Sequence, residues 1–276
     1  MSDRSAAKET PTSAVAGEPP AIPSIPNLRD VGGCPTRSGG RVRTGILYRS
    51  SGLGALADAD VDALAGLAIR TAYDLRTARE QAEAPDRLPA GTRHLPVDVL
   101  AGWTDGGPSQ LFAWFEDPEA ARTGLGGGGA EALWCEQYRA FVHLPGARAA
   151  YGTLFRDLAV EAGRPALVHC TTGKDRTGWA AAALQVLLDV PEDAVMDHYL
   201  ESRRHLEPLV ESFLAAVADR GGDPDLFRPI LDVRPGYLEA ALDEVRRGYG
   251  TIERYFGEGL GVDETKQEAL RAAFTG

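Results

Sequence analysis

In this 276-residue chain a thiol, a guanidinium and a hydroxyl, those of Cys170, Arg176 and Thr177, are spaced as a nucleophile and its anion-binding partners would be. They stand in Val168-His169-Cys170-Thr171-Thr172-Gly173-Lys174-Asp175-Arg176-Thr177-Gly178, a cysteine followed by five residues, an arginine and a hydroxyl. A loop of this length between a strand and a helix can curl until successive backbone N–H groups converge on one point. The helix N-terminus adds its positive dipole end. A phosphate dianion suits that cradle, and Thr171, Thr172, Gly173 and Lys174 are its expected lining. Arg176 can grip two phosphate oxygens with its planar guanidinium, which a lysine could not copy. The same field favours Cys170 as a thiolate nucleophile. Thr177 can hydrogen-bond the sulfur and stabilise it as a leaving group. His169 reads as a support that bonds nearby backbone and keeps the thiolate poised. Lys174 draws notice because only three of the 29 lysines and arginines are lysines. A compact ammonium is wanted where a point charge must fit near phosphate. The bland alternatives are a buried small apolar side chain for Cys170 and a solvated loop lysine for Lys174.

The elements that must hold this loop are legible nearby. Pro165 to Val168 is a short apolar strand running into His169-Cys170, and an Ala/Leu-rich helix follows over 177–188. Strands are expected at 45–48, 71–75 and 95–99, with a helix after Asp58 that places Val61, Leu64, Ala65 and Ala68 on one face. Helices are expected over 131–143, 147–161 and 236–249. Strands alternating with helices give an α/β fold around a mainly parallel central sheet flanked by helices. Residues 1–24, rich in Ala, Ser, Pro and Glu without a period, read as a flexible tail before one domain over 25–276. Residues 101–130 read as irregular and glycine-bearing, either a mobile lid or simply floppy.

Composition narrows the partners. Hydrophobic residues are 43% and charged residues 25%, which fits a globular chain and not a disordered one. The net charge of −11 excludes a generally basic nucleic-acid binder and argues against stable membrane association. A phosphate-bearing ligand must therefore be captured locally. Three cysteines, with no CxxC pair, make neither a disulfide framework nor a zinc site; Cys34 and Cys135 read as buried small side chains. Without a signal-peptide core or a bilayer-length apolar run, the expected location is the cytoplasm.

The loop HCTTGKDRTG resembles that of the bacterial atypical tyrosine and lipid phosphatases of the HCxxGKDRTG type. Asn27-Leu28-Arg29-Asp30-Val31-Gly32-Gly33 is similar to that family's NxRDxGG. Leu47-Tyr48-Arg49-Ser50 is similar to its LxRS, Tyr73-Asp74-Leu75-Arg76 to its DLR strand end, and Val233-Arg234-Pro235-Gly236-Tyr237-Leu238 to its RPxYL helix start. The matches fall in family order over about residues 25–276, and the 101–145 segment lies where the family carries a variable lid. The resemblance implies a cysteine-phosphatase-like fold with a helical or looped lid, a phosphocysteine intermediate, and no metal or cofactor. It implies attack on phosphorus by Cys170, with the 171–176 amides and Arg176 stabilising the equatorial oxygens.

A carboxylic acid must then protonate the leaving oxygen. There are three candidates: Asp175 lies in the loop and matches the KDR aspartate; Asp98 ends the 95–99 strand; Asp74 ends the neighbouring strand, though with Arg76 close by it also reads as a group that only orients the loop. Arg29, Arg49 and Arg76 read as structural, paired with Asp30, Asp74 or loop carbonyls. His198, His205, Arg203 and Arg204 read as a solvated helix face rather than a substrate mouth. The leading function is phosphomonoester hydrolysis on a phosphoprotein or a small phosphorylated metabolite. The alternatives are a phosphoinositide phosphatase, a non-catalytic phosphate-binding module, and another thiolate enzyme such as a sulfurtransferase or arsenate reductase.

Overall fold

The computed structural model describes residues 19–103 and 108–276. Five strands form one sheet: β1 (Arg29–Asp30), β2 (Leu47–Ser50), β3 (Thr71–Asp74), β4 (Arg93–Pro96) and β5 (Ala166–His169), in the order β1-β2-β5-β3-β4. Only the β1–β2 pair is antiparallel. The expected α/β fold with a mainly parallel sheet is therefore present. The last strand in sequence lies at the centre, so His169 stands opposite both Ser50 and Asp74. Three strand ends thus converge where the Cys170 loop begins, and ligands of parallel sheets bind outside the carboxyl ends of the strands. The strand expected at 45–48 begins two residues later and the one expected at 95–99 begins two residues earlier, because pairing sets their ends.

Side-chain alternation divides the core between the two faces of the sheet. Leu167 of β5 and Tyr48 of β2 join Ile22, Ile25, Leu28, Leu53, Leu56, Leu64 and Ile69 on one face, beside α1 (Val61–Ala65). Ala166 and Val168 face the larger cluster, built from α5 (Gly129–His143), α6 (Pro145–Leu158) and α7 (Arg176–Leu187). To these it adds α8 (Glu192–Leu200), α9 (Ser202–Asp219), α10 (Pro224–Leu231), α11 (Pro235–Tyr249), and the short α12 (Ile252–Arg254) and α13 (Glu264–Phe274). Almost every side chain of α7 is buried, as its small and apolar sequence requires of a helix surrounded on all sides.

Two expectations change. Residues 1–18 of the expected tail lie outside the described residues. Its inner end is packed: Ile22 is 3% exposed, and the Ser24 hydroxyl donates to Asp60 at 2.5 Å. Residues 104–107 of the glycine-bearing stretch also lie outside the described residues, but most of the rest is helical, with α3 (Pro108–Glu116) and α4 (Pro118–Leu125). Both begin on proline, whose fixed φ suits the first helical position, and the Asp117 side chain caps α4 by accepting from the N–H groups of Glu119 and Ala120. α2 (Ala78–Glu83) opens with a capping box between Thr77 and Glu80.

Candidate active site

The loop of residues 170–175 is shaped by three donors that pull its carbonyls outward. Gly52 N–H donates to Thr171 O at 3.1 Å, Asn27 Nδ2 to Thr172 O at 3.1 Å, and Arg49 Nη2 to Gly173 O at 2.5 Å. Turning three successive carbonyls outward frees the N–H groups on the other side. No hydrogen bond among the described residues uses the N–H groups of Thr171 to Asp175. Gly173 has φ +70°, and a Cβ there would lie 2.2 Å from Ser50 O, so the turn both needs glycine's conformational freedom and passes too close to β2 for any side chain. The loop feeds directly into α7, whose N-terminus adds its dipole. Cys170, 2% exposed, lies at the base of this turn.

Arg176 is the first residue of α7, with its guanidinium against α2. Nη1 and Nη2 each donate to a Glu80 oxygen at 2.8 Å, Nη1 also to Leu75 O at 3.3 Å and Nη2 to Thr171 Oγ1 at 3.1 Å. Those four bonds engage all four terminal hydrogens and leave Nε–H without a partner among them. Burial would raise the Glu80 carboxyl, but the bonds and charge of Arg176 and the Thr171 hydroxyl outweigh it and hold Glu80 at about 2. Sequence reasoning missed Glu80. Its signal was there in Thr77-Ala78-Arg79-Glu80, a capping box directly after the β3 end.

His169 is fully buried between two carboxylates. Its Nε2 lies 3.0 Å from Asp86 Oδ2 and its Nδ1 3.9 Å from Asp74 Oδ1, with Nδ1 also 3.4 Å from Cys170 O. Arg76 bonds Asp74 through Nε and Nη2, both at 2.8 Å, and meets Asp86 at 2.8 Å. Asp74 is fully buried, and its carboxylate is engaged by Arg76. Asp86 was missed, and no local spacing marks it. Its carboxyl is held at about 2: burial alone would raise it, but His169 and Arg76 prevail. Asp74, Asp86 and His169 bring ligand atoms within 4.8 Å of one another, which is metal-site geometry, yet Arg76 already supplies the cation that the two carboxylates require.

Asp175 precedes α7, and its Oδ1 accepts from Tyr138 OH at 3.0 Å, Trp134 Nε1 at 3.3 Å and Lys174 Nζ at 3.0 Å. Lys174 is buried and turned toward the end of α10, where Nζ also donates to Ile230 O at 2.8 Å and Asp232 O at 3.2 Å. Its ammonium thus serves the protein's own carbonyls and Asp175, a different direction from the expected approach to phosphate. Asp98 follows β4 and accepts from Leu100 N–H at 2.8 Å. Burial raises its carboxyl above the usual range, against the pull of that bond and of the Arg176 charge. Thr177 Oγ1 is buried with no hydrogen-bond partner among the described residues, so the bond to sulfur is not formed in this geometry.

Of the remaining arginines, Arg49 and Arg76 take the structural partners expected. Arg29 does not pair with Asp30. It bonds His198 O at 2.8 Å and Ser202 Oγ at 2.9 Å, while Asp30 accepts from the N–H groups of Gly32 and Gly45. His198 is not on a solvated face: its Nε2 lies 3.2 Å from Asp30 O, and burial pushes its imidazole well below the usual value. Arg203 ties α9 to Asp232 at 2.8 Å and to Val233 O at 2.6 Å.

A model of the tyrosine phosphatase family matches residues 20–276. A protein of Cupriavidus necator bearing the name tyrosine-protein phosphatase is 31% identical over 245 residues, covering 88% of this chain and 84% of that one. The triple specificity protein phosphatase PtpB of Mycobacterium tuberculosis is 28% identical over 279 residues, covering 92% and 98%. A tyrosine-protein phosphatase of Nostoc commune is 30% identical over 233 residues, covering 81% and 72%.

Proposed function

This chain belongs to the tyrosine phosphatase family and is a phosphatase, and from that premise we propose that it hydrolyses phosphate monoesters through a Cys170-bound phosphoryl group. The observation that carries this reading is the loop with its carbonyls tied outward, its N–H groups unengaged among the described residues and Arg176 fixed at its end. Cys170 Sγ attacks phosphorus; the S–P bond forms as the bond to the leaving oxygen breaks, and an acid gives that oxygen a proton. Water then attacks phosphorus, the S–P bond breaks, and the carboxylate takes the water's proton, releasing phosphate. The loop amides and Arg176 stabilise the charge on the equatorial oxygens. A two-point grip by Arg176 uses Nε–H together with the neighbouring Nη2 hydrogen, exchanged from Thr171. The Thr177 hydroxyl, without a hydrogen-bond partner among the described residues, is available to the sulfur.

Asp175 is the proposed acid, since it adjoins the loop and is held in place. Asp98 is the second reading, favoured by the burial that keeps its carboxyl more readily protonated. Turnover of para-nitrophenyl phosphate tests the scheme. Cys170→Ser abolishes it in a folded protein, and Asp175→Asn lowers kcat by about two orders of magnitude with loss of one limb of the pH profile. The same loss in Asp98→Asn, with Asp175→Asn unaffected, moves the role to Asp98. Absence of turnover in well-folded wild type overturns the reading in favour of a phosphate-binding module.

The substrate we propose is a phosphoprotein side chain or a small phosphorylated metabolite. The net charge of −11 disfavours docking on anionic lipid. Lys174, the loop cation that would serve a multiply phosphorylated headgroup, is engaged elsewhere. No helix among the described residues is long and apolar enough to cross a membrane, and the reduced-cysteine composition supports a cytoplasmic site of action.

A further inference from the structure

We propose that Trp134 and Tyr138, on α5 in the 101–145 insertion between β4 and β5, are positioning residues for the reaction, which with Lys174 clamp Asp175 through Oδ1 so that its proton is carried on Oδ2 toward the leaving oxygen. This rests on the acid role assigned above to Asp175 and extends it to residues outside the loop.

Three donors converge on one oxygen: Tyr138 OH at 3.0 Å, Lys174 Nζ at 3.0 Å and Trp134 Nε1 at 3.3 Å. A carboxylate oxygen has two lone pairs, so Oδ1 is saturated and a proton has its place on Oδ2. The clamp is itself held. Trp134 and Tyr138 are four residues apart on α5 and so lie on one face. Tyr138 is fully buried and its hydroxyl meets that of Tyr199 at 2.7 Å. Each hydroxyl has one proton; with Tyr138 donating to Asp175, Tyr199 donates to Tyr138, giving a directed chain from α8 through α5 to the loop. Burial raises both phenols well above their usual value, so both remain donors across the working pH range. The Lys174 ammonium sits 5.6 Å over the Trp134 ring and is anchored by the Ile230 and Asp232 carbonyls. α5 also packs on α11, with the rings of Tyr138 and Tyr237 5.8 Å apart. The insertion is thus a fixed wall of the acid's environment.

An acid out of place matters in proportion to how much the leaving group needs its proton. Phenyl phosphate leaves as a basic phenolate, and 2,4-dinitrophenyl phosphate leaves without help. Tyr138→Phe is expected to lower kcat/KM, which reports only the steps through departure of the leaving group, about tenfold on phenyl phosphate and less than twofold on 2,4-dinitrophenyl phosphate. Trp134→Phe, which removes the indole donor and shrinks the ring, gives the same pattern in smaller measure and serves if Tyr138→Phe fails to fold. Equal losses on the two substrates, or no loss on either, overturn the clamp, since a merely structural defect does not read the leaving group. Asp175→Asn is run alongside. Discrimination there without discrimination in either clamp variant overturns the clamp alone. Uniform loss in Asp175→Asn overturns the acid assignment and the clamp with it.

Discussion

Both terminal nitrogens of Arg176 are bonded to Glu80, a pairing with side chains only 6% and 11% exposed. The carboxylate fixes the plane of the guanidinium and neutralises it within the fold. Removing one partner of such a pair leaves an uncompensated buried charge. Glu80→Gln is therefore expected to lower unfolding free energy by about 3 kcal/mol, read from urea denaturation. Inorganic phosphate is expected to restore more stability to this variant than to wild type, because the anion supplies the missing countercharge and binds the folded state alone. Equal stabilisation of both proteins would disprove that account.

At the scale of elements, the site depends on how closely β2 approaches the loop. Gly173→Ala is expected to reduce turnover by more than about a hundredfold and to lower Tm. The new Cβ meets Ser50 O at 2.2 Å, in a strand paired on both sides and unable to move. Wild-type turnover in this variant would contradict the loop conformation. The insertion is where sequence reading went astray. Gly-Gly-Pro and the run Gly126–Gly129 suggested irregular chain, whereas Pro108 and Asp117-Pro118 are start signals for α3 and α4. Glycine runs mask such start signals locally, and the apolar contacts of Trp114, Ala121 and Leu125 with the core have no local signature.

For the whole molecule, buried titratable groups set the response to acid. Burial depresses His198 from 6.5, so the unfolded chain takes up a proton below that pH that the folded chain refuses, and stability falls as pH drops below about 6.5. Glu80 and Asp86 are depressed from 4.5 and 3.8 to about 2. Their contribution is complete above about 4.5 and is lost as pH falls through about 2. Thermal melts from pH 7 to 2 are expected to show two successive declines in Tm, the upper one absent in His198→Asn and the lower one reduced in Glu80→Gln. A single decline unchanged in both variants would refute the assignment.

The loop, the helix after it and the parallel sheet are legible in the chain alone, because they are written in contiguous residues: eleven positions from Val168 to Gly178 carry the proposed nucleophile, the proposed phosphate cradle and the arginine together. Structural pairing of Arg29, Arg49 and Arg76 with Asp30, Asp74 or loop carbonyls is also expected from the chain: Arg49 takes a loop carbonyl and Arg76 takes Asp74, whereas Arg29 turns to His198 O and Ser202 Oγ. The tertiary structure alone decided which distant groups complete the site. Glu80 reaches Arg176 across 96 residues, Tyr138 reaches Asp175 across 37, and Lys174 turns to a carbonyl 56 residues away. Such pairings follow from how helices pack on the sheet, and a side chain's direction is fixed by its neighbours in space rather than by its neighbours in the chain.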